Sequence, residues 1–534
     1  MKNKARPSGS IVLITFYDMD SFAIHTLHSV LKKSGFNPHS VFFKRLNINS
    51  TAEPATEEEI ATLVDLIKKV GPLFVGISFR STFFKLACRI TARIRSALDV
   101  PVVWGGIHPT IRPDQCAQFA DIVCVGEGEG AIVDLAARLS KGEDARSIPN
   151  LCFRSDNRVV KNDLCFLIQD LDSVPFPDFS IENKYYLEGA IVEPLPLPAQ
   201  RTNYPVMTSR GCPFHCTYCY NNIAQRIYNG KGKYVRRRTV DNVIAELANA
   251  KADFKNLMYV SFLDDLFTFD MQWMREFHAK YKKDVNLPFY CHIHPRFSQE
   301  EMIFLLKDAG CVGVAMGLQT GSEHSRHKYF ERFEDNDDII KSAQILHKHE
   351  IECTYDLIMD NPLETDHDKF QTFDLLLKLP KPFELCVHSL THFPETKLTT
   401  LLLEKGMIGE GDVEDQRAKS YARWVPALDL ERNKEDLFWD NLYYLTQKKH
   451  VPQRFLLWLS RRDFLKKHPR PLTFLLRLTS FSIYTLRNGS ALDKMRWFIL
   501  TLLNKPHLLF KKRSYFFVWS RLKIKLAFLF GHRA

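Results

Sequence analysis

No stretch of these 534 residues approaches the roughly 18 uninterrupted apolar residues that a membrane-crossing helix requires. The chain opens MKNKARPSGS and passes at once into the strand-like run Ile11–Phe16, too abruptly for a secretory signal. Both absences set the expectation of a cytoplasmic protein with reduced thiols. Acidic residues are nearly missing from one segment: positions 451–534 hold 18 Lys and Arg against only Asp463 and Asp493. That tail carries a formal +16 in a chain of net +11, so the first 450 residues sit near −5. Such asymmetry points to a partner or a charged surface. The region from about 430 also lacks cysteine and any glycine-rich loop. With 45% apolar and 25% charged residues, disorder is excluded as the default, and the length suits about three domains.

Nine of the twelve cysteines are scattered singly, at 88, 116, 124, 152, 165, 291, 311, 353 and 386. Isolated cysteines in a reducing setting read as small buried apolar residues. The other three, Cys212, Cys216 and Cys219, fall within eight residues and need a chemical explanation.

The pattern along the chain is an α/β one. In residues 1–150, apolar runs at Ile11–Phe16, Val41–Phe43, Phe74–Ser78, Val102–Trp104 and Ile122–Val125 alternate with helical spacing at 24–31, 57–70, 84–98 and 132–139. Such alternation predicts a Rossmann-like, open parallel sheet covered on both faces, with ligands beyond the carboxyl ends of its strands. Glycines stand at those ends, in Gly105-Gly106 and Gly126-Glu127-Gly128. The Pro-rich stretch Val174–Phe179 places a linker at 151–200. Residues 201–420 repeat the alternation six times, with strand candidates near 206, 257, 288, 313, 354 and 385. This predicts a partial TIM-type (β/α)6 barrel with its chemistry at the carboxyl ends of the strands. Residues 421–534 read as a basic α-helical region.

The cysteine loop, Thr208-Ser-Arg-Gly-Cys-Pro-Phe-His-Cys-Thr-Tyr-Cys-Tyr-Asn221, follows the first barrel strand with spacing Cys-x3-Cys-x2-Cys. Three thiolates can hold three irons of a [4Fe–4S] cube and leave the fourth iron open. A structural zinc site would need a fourth ligand in a closed tetrahedron, and the adjacent His215 lies inside the loop itself. The loop, with an aromatic residue before its last cysteine, resembles the radical S-adenosylmethionine (SAM) superfamily. The resemblance implies that SAM chelates the open iron and is reductively cleaved to a 5′-deoxyadenosyl radical, which abstracts hydrogen from an unactivated carbon. It also implies an external one-electron reductant of flavodoxin or ferredoxin type.

Carried over residue by residue, the resemblance places Tyr218 near the adenine. Asp264 or Asp265 of Phe262-Leu-Asp-Asp-Leu-Phe267 would lie near the SAM amino group, the bland alternative being a helix N-terminal carboxylate. Arg296 would follow the third strand, unless it is a surface arginine. Gln319 and Ser322 of Gly317-Leu-Gln-Thr-Gly-Ser-Glu323 would approach the SAM carboxylate and ribose. Gln319 stands where the family usually has Glu, so any ionic role is lost there while hydrogen bonding is kept. The turns 360–365 and 393–398 lack the family's glycines and read as structural.

The domain ahead of the barrel resembles the cobalamin-binding domain of one branch of this superfamily, on Phe74–Ser78, Val102–Thr110 and Ala120–Glu129. That implies cobalamin contacts from Ser78, Gly105, Gly106, His108, Gly126 and Glu127. His108 is equally a turn-capping residue. The Asp-x-His-x-x-Gly signature is absent, so no lower axial histidine is expected. A sheet that has lost its cofactor is the alternative for the whole domain.

The function this implies is methylation of an unactivated carbon on a small-molecule or lipid-like substrate. The alternatives are a radical cyclisation, oxidation or rearrangement without methyl transfer, and a non-catalytic iron–sulfur or cobalamin binding protein. The basic tail, with Arg461–Lys467, Lys511–Trp519 and Arg521–Leu526, suits peripheral contact with the inner face of a membrane, or a helical cap with a solvated basic face. Nucleic acid is the weaker reading of its charge.

Overall fold

The computed structural model describes residues 9–46, 53–155, 158–195, 201–414, 433–473 and 475–476. The chain divides into two compact units, residues 1–424 and 425–534.

The first unit begins with β1 (Ser10–Phe16), α1 (Phe22–Lys33), β2 (Asn37–Phe43), α2 (Glu57–Val70), β3 (Val75–Ser78), α3 (Phe84–Ala97) and β4 (Val102–Gly105). The short α4 (Ile107–Ile111) and α5 (Pro113–Cys116), then β5 (Ile122–Cys124) and α6 (Glu129–Lys141), complete the alternation. The five strands are parallel, in the order β5-β4-β3-β1-β2. Each is buried on both faces, which is why each reads as a continuous apolar run. One core holds Val12, Ile14, Val41, Ile77 and Trp104 against α2 and α3; the other holds Ile11, Leu13, Phe42 and Val103 against α1 and α6. The strand order reverses between β1 and β3, and ligands of such sheets bind at the carboxyl ends beside that switch.

Residues 151–200, expected as a linker, instead supply β6 (Leu151–Ser155), β7 (Arg158–Lys161), β8 (Lys184–Glu188) and β9 (Ile191–Pro194). These pair onto both edges and extend the sheet to nine strands among the described residues. Their mixed polar and apolar composition suits half-exposed edge strands, which hydrophobic periodicity marks only weakly. The Pro-rich stretch 174–179 holds neither helix nor strand, as expected.

The barrel follows as β10 (Asn203–Val206), β11 (Ser209–Arg210), α7 (Tyr220–Ile227), β12 (Arg236–Arg237), α8 (Val240–Asp253), β13 (Tyr259–Phe262), α9 (Met271–Asp284) and β14 (Phe289–Ile293). Then come α10 (Glu300–Asp308), β15 (Cys311–Gln319), α11 (Glu323–Lys328), α12 (Asn336–Lys348), β16 (Glu352–Met359), α13 (Asp366–Lys378), β17 (Glu384–Ser389), α14 (Lys397–Glu404) and α15 (Glu410–Glu414). Six parallel strands lie in the order β10-β13-β14-β15-β16-β17, and among the described residues β10 and β17 are edges, so that the barrel is partial. The β11–β12 ribbon braces the loop that follows β10.

The sheet domain and the barrel meet at the loop after β5. Glu127 accepts from Arg210 Nη1 at 2.9 Å, from Arg236 Nη1 at 2.9 Å and from the Ile168 amide at 2.8 Å. Arg210 also donates to Glu129 at 2.6 Å, and the Glu127 amide donates to Tyr228 Oη at 3.0 Å. Gly126 stands under the same tyrosine with φ +84°, and a Cβ there would fall 1.6 Å from Tyr228 Oη.

The second unit shows α16 (Lys434–Thr446), α17 (Gln453–Ser460) and α18 (Asp463–Lys467). Lys466 lies 5.6 Å from the Trp439 ring and Arg462 4.2 Å from the Trp458 ring. Most of the expected basic tail, 477–534, lies outside the described residues.

Gly126→Ala is expected to lower the stability of the first unit by about 2 kcal/mol or more, since both the left-handed φ and the contact must give. In a Tyr228→Phe background the same substitution should cost less, by on the order of 1 kcal/mol, because the nearer of the two ring atoms it strikes is gone. Urea denaturation of the four chains measures this; equal costs in both backgrounds would show that the hydroxyl contact adds nothing to the penalty.

Candidate functional site

The cysteine loop leaves β10 at the carboxyl end of the barrel, and its shape is set by helix α7, which follows it. Gln225 Nε2 donates to the carbonyls of Cys212 (2.8 Å) and Phe214 (3.1 Å), and Asn222 Nδ2 to that of His215 (2.8 Å). Gly211 has φ +87°, and a Cβ there would press 2.6 Å from the Tyr234 carbonyl oxygen. Thr217 ties the middle of the loop to the Tyr329 and Phe330 carbonyls, and the Leu398 amide donates to Thr217.

All three cysteines are free thiols. Burial pushes Cys212 up to about 12 and Cys219 up to about 11, so protons leave only when cations replace them. Two donors already face the sulfurs: Asn221 Nδ2 lies 3.7 Å from Cys219 Sγ, and Arg332 Nη1 lies 4.0 Å from Cys216 Sγ. Among the described residues, the one set of three side-chain donors converging within 4.8 Å is elsewhere, at Asp356, Cys386 and His388. Three thiolates suit a cluster that leaves one metal open, whereas a structural zinc takes four ligands in a closed tetrahedron.

Arg332 was not visible as a site residue from the sequence. It is 8% exposed, and besides Cys216 it reaches the Gly317 carbonyl (2.8 Å) and Glu334 (2.7 Å). Burial works against its charge, but Tyr218, Glu334 and Cys216 outweigh that and hold it protonated. Glu334 is likewise penalised by burial, yet His294 and Arg332 bring its carboxyl down to about 2. His294 stacks on Phe214 of the loop with ring centres 4.1 Å apart. The segment between α11 and α12, with His294 from the end of β14, thus delivers a buried cation to the middle cysteine.

The residues expected from the sequence divide into two groups. Tyr218 packs edge-on against Phe330 at 5.0 Å, beside the loop, and burial raises its phenol well above the usual range. Asp265 accepts from Asn221 at 3.0 Å, and desolvation in the site, with the Asp264 carboxylate beside it, raises its carboxyl above the ordinary value. Gln319 ends β15 at φ +63° and folds over Gly317, where a Cβ would meet its Nε2 at 2.4 Å. These three border the loop with exposed or half-exposed side chains.

The others are already engaged. Asp264 is fully buried and accepts from the Thr208 amide (3.1 Å), Thr208 Oγ1 (2.7 Å) and Ser209 Oγ, clamping the start of the loop to β13. Arg296 is exposed and donates to the Phe333 carbonyl at 2.9 Å, the surface alternative; the buried arginine is Arg332. Ser322 caps α11 and donates to Asp368 at 2.5 Å. His292 Nδ1 and Tyr290 Oη, on the face of β14 that carries the loop's neighbours, are buried without a protein partner.

In the sheet domain, Ser78 ends β3 at the switch point and Gly105 ends β4 beside it. A Cβ on Gly105 would meet only Cys124, at 3.9 Å, so this edge is open to close approach by a flat ring. Gly106, at φ +95°, is demanded by the protein itself, since a Cβ would lie 2.9 Å from the Phe79 backbone and Ser78 Oγ. His108 is 4% exposed, packs 4.9 Å from the Phe84 ring and binds Ser81 Oγ at 3.0 Å. Burial holds it neutral, at about 4. It belongs to the aromatic core. Gly126 and Glu127 serve the contact with Tyr228, Arg210 and Arg236. The open edge at the switch point fits a macrocycle; the loop after β5 is a joint.

Comparison with known proteins agrees with both halves. The radical SAM superfamily matches residues 206–376, and the B12 binding domain matches residues 10–136. An uncharacterised methyltransferase of Pyrococcus horikoshii is 29% identical over 284 residues, 52% of this chain and 57% of that protein. Bacteriochlorophyllide d C-12(1)-methyltransferase of Chlorobaculum tepidum is 24% identical over 351 residues, 61% of this chain and 68% of that protein. The structure of the radical SAM methyltransferase TsrM from Kitasatospora setae, with cobalamin and a [4Fe–4S] cluster bound, shares the fold: TM-score 0.59 at 16% identity, over 89% of this chain and 99% of that one. The chain spans little more than half of the length of the Pyrococcus relative. It belongs to the radical SAM superfamily and carries a B12-binding domain ahead of the radical SAM domain. Membership implies a [4Fe–4S] cluster, SAM and cobalamin as cofactors.

The depressed Glu334 carboxyl sets a pH dependence. Its contribution is complete above the ordinary Glu range near 4.5 and is lost as pH falls toward about 2. The size is on the order of 3 kcal/mol. In cluster-free protein, urea midpoints should fall less steeply below pH 4.5 for Glu334→Gln than for the parent; parallel curves would show that the carboxylate is not held in this way.

Proposed function

We propose that this chain is a cobalamin-dependent radical SAM methyltransferase acting on an unactivated carbon. The observation that carries the reading is the joint. Arg210 stands two residues before Cys212 and is salt-bridged to Glu127 and Glu129 of the B12-binding domain. Cluster loop and cobalamin domain are thereby held in one fixed relation, which a transfer between two cofactors requires. The Pyrococcus and Chlorobaculum relatives, both named methyltransferases, support the same reaction.

When bound, the cluster and SAM supply the hydrogen-abstracting radical and cobalamin carries the methyl group. The chain's own part is placement. Cys212, Cys216 and Cys219 hold the cluster, with Arg332 balancing the charge on Cys216. Tyr218, Asp265 and Gln319 line the approach to the loop and bind SAM. Ser78 and Gly105 form the cradle for cobalamin. An external one-electron reductant of flavodoxin or ferredoxin type serves the cluster.

The second unit bears on location. No helix among the described residues is long and apolar enough to cross a membrane. Yet Phe455, Trp458 and Phe464 are 40, 49 and 66% exposed, flanked by Arg454, Arg461, Arg462, Lys466 and Lys467. Aromatic rings beside a cationic surface suit the interface of an anionic bilayer. Flotation with phosphatidylglycerol vesicles should recover the chain, phosphatidylcholine vesicles should not, and replacing the three aromatics by Ser should weaken binding about tenfold or more. Equal recovery of parent and variant would remove the aromatic anchor.

The reaction is tested by anaerobic reconstitution with iron, sulfide and cobalamin, then reduction in the presence of SAM. The parent should release 5′-deoxyadenosine, and Cys216→Ala should release none. S-adenosylhomocysteine formed in step with turnover establishes methyl transfer. 5′-Deoxyadenosine without it assigns a radical reaction of another outcome, and neither product from folded, cluster-loaded protein overturns the enzymatic reading.

A further inference from the structure

The inner wall of the barrel carries a group of side chains that the cluster loop does not account for. Alternation along β16 puts Thr354, Asp356 and Ile358 on one face and Cys353, Tyr355 and Leu357 on the other. Tyr355 packs outward, edge-on to Phe383 at 5.4 Å. Ile358 instead clusters with Leu390 and Phe330, with Tyr218 packed against them. The face of β16 that bears Asp356 is therefore the inner one. In β17, Cys386, His388 and Leu390 alternate onto that same face, and Cys386 is the register partner of Asp356. Asp356 and Cys386 lie one step deeper than Ile358, and His388 is level with it.

Their reactive atoms converge. His388 Nε2 is 3.4 Å from Asp356 Oδ1, and the carboxylate oxygen, the Cys386 sulfur and a ring nitrogen of His388 all lie within 4.8 Å of one another. Ligands around one tetrahedral ion stand about 3.3–3.8 Å apart, so small side-chain rotations close the set. Thiolate, imidazole and carboxylate are the three donors that zinc takes from proteins. A barrel wall is ordinarily filled with branched apolar residues. Here a carboxylate and an imidazole are placed on it half-buried, and Cys386 is 2% exposed. The neighbouring strand presents small residues at this level: Ala315 and Gly317 of β15 are the register partners of Thr354 and Asp356, with the Gln319 side chain folded over Gly317. An aspartate–histidine pair alone would need no sulfur at the third corner; a metal would.

We propose that Asp356, Cys386 and His388 bind a divalent transition ion of the zinc class in the barrel wall. Three protein ligands leave a fourth position, which opens on the lumen and is free to take a nitrogen or oxygen donor of a substrate. That last use rests on the methyltransferase reading; the metal site does not.

The test is metal content of the anaerobically purified full-length chain. Because zinc can stray into empty cluster cysteines, the reference is the Cys212→Ala, Cys216→Ala, Cys219→Ala chain. It should retain about one zinc per chain after desalting. Adding Cys386→Ser and His388→Gln should reduce this to a trace, with near-ultraviolet dichroism unchanged as the check on folding. Cobalt(II) in place of zinc should give a sulfur-to-cobalt charge-transfer band in the reference chain, and Cys386→Ser should abolish it. Should the doubly substituted chain fail to fold, the cobalt spectrum of the reference chain decides: the band supports the site and its absence overturns it. Zinc near zero in the folded reference chain, or equal zinc with and without Cys386 and His388, also overturns it. No turnover is measured, so failure of the radical chemistry would leave this result standing.

Discussion

Two carboxylates from one glycine-rich turn and two arginines from the barrel form the contact on which the arrangement of this molecule depends. Glu127 and Glu129 meet Arg210 and Arg236, and all four side chains are three-quarters or more buried. Burial raises the cost of each charge, but the two guanidiniums outweigh it and keep Glu127 ionised. The group is neutral overall, and removing one member of such a buried set typically costs about 3–5 kcal/mol because the rest are left uncompensated. Its position gives it further consequence. Arg210 immediately precedes the glycine and first cysteine of the cluster loop, and Gly126 precedes Glu127 directly under Tyr228. Any loosening here would be felt at the cysteines and at the edge of the sheet domain together.

A second buried network acts at shorter range. Arg332 and Glu334 come from the connection between α11 and α12, His294 from the end of β14, and the three converge on the cysteine loop. Arg332 offers its charge to Cys216 while Glu334 and His294 set its position, and the stacking of His294 on Phe214 extends the same support to the loop backbone. Helix α7 supplies the complementary restraint through Asn221, Asn222 and Gln225. The loop is thus held both by side-chain amide donors and by a paired cation. Asp264 belongs to this scaffolding and Asp265 to the open side, although the two are adjacent in the chain.

The positions of the elements were largely legible in the sequence. The parallel strands are buried on both faces and appear as short apolar runs, and the helices between them carry one apolar stripe, so both periods stand out. The edge strands β6–β9 were missed because half-exposed strands have no such contrast and because a proline-rich stretch lies between β7 and β8. The cysteine triad was readable from spacing alone. Arg332 was not: nothing in Glu331-Arg-Phe-Glu334 distinguishes a buried arginine from the exposed Arg296, and only packing does so.

The sequence by itself pointed to the two domain types, their order and the loop of three thiols that we propose as cluster ligands, because each is carried by short motifs and their spacing. The tertiary structure decided which polar residues are spent on holding the protein together and which remain open to a ligand. Glu127, Asp264 and Ser322 have side chains suited to either task, and hydrogen bonds to residues distant in sequence commit them to the scaffold. Tyr218, Asp265 and Gln319 remain at the edge of the cysteine loop. The inward-facing set of Asp356, Cys386 and His388 arises in the same way, since strand register alone brings together residues thirty positions apart.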